Sequence, residues 1–126
     1  MPADRVVLSI PAKGEYARTV RMTAAELAAR LGMSFDDVDD VRIAAEEAFV
    51  YAAERSKHEG SVSFAFDLLP GALQVTVGPV PSACEPDGEE DPRSQYATFI
   101  LESVCDEFAI EESADECTIR LTKQLS

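Results

Sequence analysis

His58 is the one histidine of the chain, and it stands between Lys57 and Glu59. A single imidazole among charged neighbours completes neither a Ser/His/Asp triad nor a histidine-based metal site, so it reads as a solvated side chain near a helix end. Cys84, Cys105 and Cys117 show no Cys-x-x-Cys spacing, which removes the zinc-pair and dithiol readings. Cys105 and Cys117, each set in an apolar pattern, read as small buried hydrophobes in a reducing compartment. Asp36, Asp37, Asp39 and Asp40 lack the glycine and regular ligand spacing of a calcium loop, and fit the first turns of a helix, where the dipole favours negative charge. The densest charge is the run Glu85, Asp87, Glu89, Glu90 and Asp91, with Arg93 as the local cation. Such a run is either a solvated linker or a docking surface for a basic partner.

The same bias holds for the whole chain. Its 11 basic and 24 acidic side chains give a formal charge of −13, with −3 on residues 1 to 63 and −10 on residues 64 to 126. Binding to nucleic-acid phosphates or to anionic lipid draws on Lys and Arg, so this balance argues against both. No apolar run approaches the roughly 20 residues of a membrane span. The opening Met1-Pro2-Ala3-Asp4-Arg5 has no apolar signal region, and a cytoplasmic protein is expected. At 126 residues, 46% of them apolar, a single domain over 1–126 with one core is expected.

The elements that position these residues follow from periodicity. Arg5 to Ile10 alternates and stops at Pro11, reading as a strand. Tyr16, Val20, Ala24, Leu27 and Leu31 recur at helical spacing, predicting a helix over Gly14 to Leu31 closed by Gly32. Ser34 with Asp37 forms a capping box that opens a second helix, whose buried face is Val38, Val41, Ala45, Ala48, Phe49 and Ala52, ending between Ser56 and Gly60. Val62 to Leu68 and Leu73 to Val77 alternate around Pro70-Gly71, a hairpin. Gly78 to Gln95 holds four of the seven prolines and reads as a long loop. Tyr96, Phe99, Ile100, Val104 and Phe108 mark a third helix, and Ala109 to Glu112 and Cys117 to Lys123 two closing strands. Together these predict an α+β two-layer sandwich, a mainly antiparallel or mixed sheet with three helices on one face.

The segment Val41 to Ala52, V-R-I-A-A-E-E-A-F-V-Y-A, resembles the N-box helix of anti-sigma-factor serine kinases, in the superfamily shared by gyrase, Hsp90 and histidine kinases. Leu73 to Val77, Ile100 to Phe108 and Thr118 to Lys123 resemble that family's strand before the nucleotide loop, its helix after the lid, and its closing strand. The resemblance covers nearly the whole chain. It implies the Bergerat-type, histidine-kinase-like ATPase fold, with 78–95 as the lid loop.

The resemblance also assigns residues. Glu47 falls on the family's catalytic base and is the candidate catalytic residue, against a carboxylate that is simply solvated or paired with Arg42 or Arg55. Four residues on, where the family's Asn binds Mg²⁺, stands Tyr51, a poor substitute for an amide carbonyl; its ring is expected to fill the emptied space. The family's adenine-reading Asp and following Gly fall on Pro79 and Pro81, and its phosphate-loop glycines on Ser94, Gln95 and Ala97. Proline lacks both the carboxylate and the backbone freedom, and side chains at 94, 95 and 97 occupy space that phosphates need. The acidic run would repel a triphosphate as well. The expectation is therefore a pseudo-kinase with no cofactor and no metal, which binds a sigma factor or its antagonist in a bacterial partner-switching system. Its partner presents a basic surface, contacts are expected at Arg18 and Arg21 on the first helix, and the family implies a possible homodimer. The alternatives are an active serine kinase using Mg-ATP and an acidic interaction module unrelated to sigma factors.

Overall fold

The computed structural model describes residues 4–81 and 92–125. Five strands form one sheet, β1 (Asp4–Pro11), β2 (Ser61–Leu69), β3 (Ala72–Pro81), β4 (Glu107–Glu112) and β5 (Glu116–Gln124), and three helices accompany them, α1 (Ala17–Arg30), α2 (Phe35–Arg55) and α3 (Pro92–Val104). The strand order is β1-β2-β3-β5-β4 and every neighbouring pair is antiparallel. The helices lie in one layer on one face of the sheet, as expected from the apolar alternation. Val62, Phe64 and Phe66 of β2, Leu73, Val75 and Val77 of β3, and Cys117, Ile119 and Leu121 of β5 face the helices and are buried.

α1 ends on Gly32, whose φ of 81° suits a glycine. There the Gly32 N–H donates to the Ala29 carbonyl and the Met33 N–H to the Ala28 carbonyl, closing the last turn. Two residues later the Ser34 hydroxyl accepts from the Asp37 N–H at 3.2 Å, starting α2. α2 is the central helix, lying against both α1 and α3. Its small residues Ala44, Ala45, Ala48 and Ala52 are buried and let it sit close to the sheet, while Phe49 reaches down to Phe64, ring centres 6.3 Å apart, and Phe64 stacks on Phe66 at 5.8 Å. Burying each of these rings contributes on the order of 2 to 3 kcal/mol.

Three expectations need correction. β3 does not end at Val77: after a shift in register it continues through Val80, opposite Cys117, and Pro81, opposite Glu116, so Pro79 and Pro81 belong to a strand and not to a loop. Prolines are tolerated there because β2 pairs with β3 only as far as Val77, leaving one side of the strand with no ladder to complete. α3 begins at Pro92 and not at Tyr96, and its buried residues are Ala97 and Leu101, with Tyr96 and Phe99 exposed. Phe108 lies on β4. Residues 82–91, with Cys84 and the acidic run, lie outside the described residues. Among the described residues no helix is long and apolar enough to cross a membrane.

Candidate functional site

Glu47, Tyr51 and Arg55 occupy successive turns of α2. Glu47 is half-buried, Tyr51 is buried at 4% exposure, and Arg55 is half-buried. The Arg55 Nη2 donates to the Tyr51 hydroxyl at 3.1 Å, and its guanidinium carbon stands 4.4 Å from the centre of the Tyr51 ring. The arginine is thus held by charge over the ring and by the phenol oxygen together. Its Nε is buried with no hydrogen-bond partner, a desolvated donor whose cost is set against those two contacts. Arg42, the other cation expected near Glu47, pairs with Asp39.

The end of β3 runs beside β5, with Val80 opposite Cys117 and Pro81 opposite Glu116. Gly78 has a φ of 118°, and a Cβ there would lie 3.1 Å from the Cys117 carbonyl oxygen and 3.1 Å from the Val80 nitrogen. Glycine alone permits this close turn, which carries Pro79 to Pro81 off the β2 ladder and along β5. The Cys117 Sγ then lies 3.8 Å from the Pro81 carbonyl oxygen. Burial raises the Tyr51 phenol above its ordinary value, against the opposing hydrogen bond and charge of Arg55, with Cys117 and Glu112 adding to the rise. Burial and Glu112 likewise raise the Cys117 thiol. Both groups are therefore neutral near pH 7.

The residues that the sequence assigned by resemblance are distributed as follows. Pro81 lies against Cys117, whose charge would be felt at the Tyr51 phenol. Glu47 is one turn N-terminal on the same helix. Gln95 is exposed and Ala97 buried on α3, and Ser94 lies in the first turn of α3. Arg55 was not singled out as a partner for Tyr51; the i, i+4 spacing of the two on one helix is the signal that finds it. These residues do not fit Mg-ATP. A neutral phenol already accepting from a guanidinium makes a weak ligand for Mg²⁺, which prefers anionic or amide oxygens. Among the described residues no group of three or more His, Cys, Asp or Glu side chains is gathered to hold a metal ion.

A second feature lies on the outer side of the helices. Arg18, Arg21, Met22, Arg42, Ile43 and Glu46 line a groove of about 430 Å³ between α1 and α2. Arg21 is tied to Glu46 at 2.9 Å, and three of the chain's 11 basic residues gather there on an otherwise acidic molecule.

Residues 10–123 match the family model described as the histidine kinase-like ATPase domain. The serine-protein kinase RsbW of Bacillus velezensis is 26% identical over 98% of this chain and 87% of its own length, and that of Bacillus subtilis 25% identical over 98% and 88%. The RsbW of Bacillus cereus strain ATCC 14579 is 33% identical over 59% of this chain and 48% of its own length. Among solved structures, the RsbU and RsbW domains of Rv1364c from Mycobacterium tuberculosis superpose with a TM-score of 0.74 at 23% identity, over 98% of this chain and 33% of that one. The histidine kinase domain of a blue-light activated kinase from Erythrobacter litoralis superposes with a TM-score of 0.52 at 14% identity.

Proposed function

This chain belongs to the histidine kinase-like ATPase domain family, and from that premise we propose that it is an anti-sigma-type regulator that works by binding proteins, with its kinase chemistry lost. The observation that carries the proposal is Tyr51, buried with its hydroxyl engaged by Arg55 at 3.1 Å, where the resembled kinases place an Mg²⁺-binding asparagine. Glu47 keeps the base position, but a base without a bound phosphoryl donor transfers nothing. Binding needs only surface, and two surfaces of opposite sign are available. The acidic chain at large, −13, suits a partner with a basic surface. The groove of Arg18, Arg21 and Arg42 suits acidic side chains on that partner. The partner we infer is a sigma factor or its antagonist, met in the cytoplasm as part of a partner switch.

Two measurements test this on the intact chain. Mg-ATP at 100 times a kinase-like Kd would add about 2.7 kcal/mol and raise the melting temperature by roughly 10 °C for a chain of this length; no rise is expected, and a rise of that size favours the active serine kinase. Capture from the host lysate is expected to recover a sigma factor or an antagonist protein, and Arg18→Glu with Arg21→Glu to abolish that capture while keeping the fold, with no more than about 1 kcal/mol lost from the Arg21–Glu46 pair. Recovery of neither protein would leave an acidic interaction module unrelated to sigma factors as the better reading.

A further inference from the structure

α3 turns its largest side chains outward. Ala97 and Leu101 enter the core, whereas Tyr96 and Phe99, three positions apart on one helical face, are 61% and 66% exposed. The hydroxyls around them do not compete for that face: Thr98 Oγ1 donates back to the Gln95 carbonyl at 2.9 Å, and Ser103 Oγ to the Phe99 carbonyl at 2.8 Å. Toward and just past the end of the helix, Glu102, Asp106 and Glu107 are exposed, and the Asp106 carboxylate is fixed in place by the Gln124 N–H at 2.7 Å. The whole stretch 94–116 holds seven acidic side chains and no basic one. Lys123, the ammonium that reaches the end of α3, is turned inward onto Asp40 and the Val104 carbonyl. Two open rings are thus bordered by carboxylates and by a helix C-terminus whose last turn carries no cation, and rings, carboxylates and helix end all attract positive charge.

We propose that Tyr96 and Phe99 are the centre of a docking face for a basic amphipathic helix of a protein partner. The inference rests on the reading of this chain as a protein-binding regulator, and it locates the contact for that partner's basic surface, apart from the arginine groove between α1 and α2. Leucine-sized side chains of such a helix cover the two rings. Lysines or arginines on its flanks meet Glu102, Asp106 and Glu107, or lie over the ring faces. Aromatic anchors inside a charged rim are an arrangement in which a few residues carry most of the binding energy. Charge selects the occupant. A second copy of the chain brings the same carboxylates and −13 of its own, and like charges laid together repel. Anionic lipid and nucleic acid are repelled for the same reason. A segment that bears cations beside apolar side chains gains from both the rings and the rim.

Isothermal titration of the intact chain with two synthetic amphipathic helices tests the face, one built of leucine and lysine and one of leucine and glutamate in the same pattern. The lysine helix is expected to bind and the glutamate helix not. Tyr96→Ala with Phe99→Ala is expected to weaken the lysine helix about tenfold or more, while keeping the far-ultraviolet circular dichroism of the parent, since both rings stand outside the core. Glu102→Lys with Glu107→Lys is expected to weaken it by a similar factor. Glu15→Lys with Glu59→Lys, exposed positions on other parts of the chain that change the net charge equally, is expected to weaken it no more than about twofold at physiological ionic strength. The proposal is overturned if the parent does not bind the lysine helix or binds the glutamate helix as well. It is also overturned if loss of both rings leaves the affinity unchanged, or if the two charge reversals weaken binding equally. No sigma factor enters this titration, so a lysate capture that recovers neither expected protein counts against the regulatory reading and leaves the face as titrated.

Discussion

Replacing Lys123 by methionine should destabilise the fold more than any other single change on the surface of β5. The Lys123 Nζ donates to Asp40 Oδ2 at 3.0 Å and to the Val104 carbonyl oxygen at 3.1 Å, and lies 3.8 Å from Asp37 Oδ1. One ammonium thus joins the start of α2, the end of α3 and the last strand. Its side chain is 14% exposed, and those of Asp37 and Asp40 are 9% and 34% exposed. Methionine keeps most of the packing volume but removes the cation, leaving two carboxylates near each other and a carbonyl without its donor. Breaking a buried pair costs about 3 to 5 kcal/mol, and the partial exposure of Asp40 places this case near 3. For 126 residues, with an unfolding entropy of about 2.1 cal/mol/K per residue, that is a fall in melting temperature of roughly 11 °C. Urea unfolding at pH 7 measures it directly, and a cycle with Asp40→Asn is expected to give a coupling energy of about 1 to 2 kcal/mol. Burial by itself lowers the Lys123 pKa, but the hydrogen bond and charge of Asp40, with Asp106 and Asp37, outweigh it and leave the group above the ordinary lysine value. A raised lysine stabilises fully below its unfolded value of about 10.5 and loses that contribution as pH climbs through the folded value. The difference between parent and Lys123→Met should therefore stay constant from pH 7 to pH 9 and shrink only above about 10.5. A loss below about 1 kcal/mol, the ordinary yield of a surface pair, would refute the idea that this ammonium holds three elements together.

Gly78→Ala should cost about 2 to 3 kcal/mol in urea unfolding, since both the positive φ and the 3.1 Å approach to the Cys117 carbonyl oppose a Cβ. Tyr51→Phe should cost about 1 kcal/mol by the same measurement, because it removes the acceptor of the Arg55 hydrogen bond but keeps the ring under the guanidinium. The Cys105 thiol, pushed up to about 12 chiefly by burial, should resist alkylation in the folded protein at pH 8 and react only after denaturation, as followed by peptide mapping.

Local rules carried much of the fold. The Pro70-Gly71 hairpin, the Gly32 stop and the Ser34 start each depend on residues a few positions apart, and each stands in the structure as its sequence implies. The inward set Cys117, Ile119 and Leu121 follows from the period of a strand. α3 was harder, because apolar residues lie on more than one of its sides: Tyr96 and Phe99 fit a helical stripe as well as Ala97 and Leu101 do, and only the position of α2 selects the smaller pair for burial. The persistence of β3 through Pro79 and Pro81 rests on which strands flank it, a fact of topology. Lys123 and Asp40 are 83 residues apart, beyond any local pattern. At the candidate site, the family resemblance led to Glu47, Tyr51 and Pro81, whereas the engagement of Tyr51 by Arg55 required a choice of side-chain direction that residue types leave open.

Tyr51 also bears on how such a chain can change over generations. Every tyrosine codon differs from an asparagine codon by one base, so the amide of the resembled kinases is always a single step away. A chain taking that step would exchange a 4%-exposed ring for a much smaller side chain and remove the surface on which the Arg55 guanidinium rests. A void of that kind costs about 2 to 4 kcal/mol, against a total stability of roughly 5 to 15. Such a molecule would lose stability at once, and on the proposed reading would gain no nucleotide site until the positions of Pro79, Pro81 and Ala97 had changed too. Packing, more than mutational distance, then holds the site in its present form.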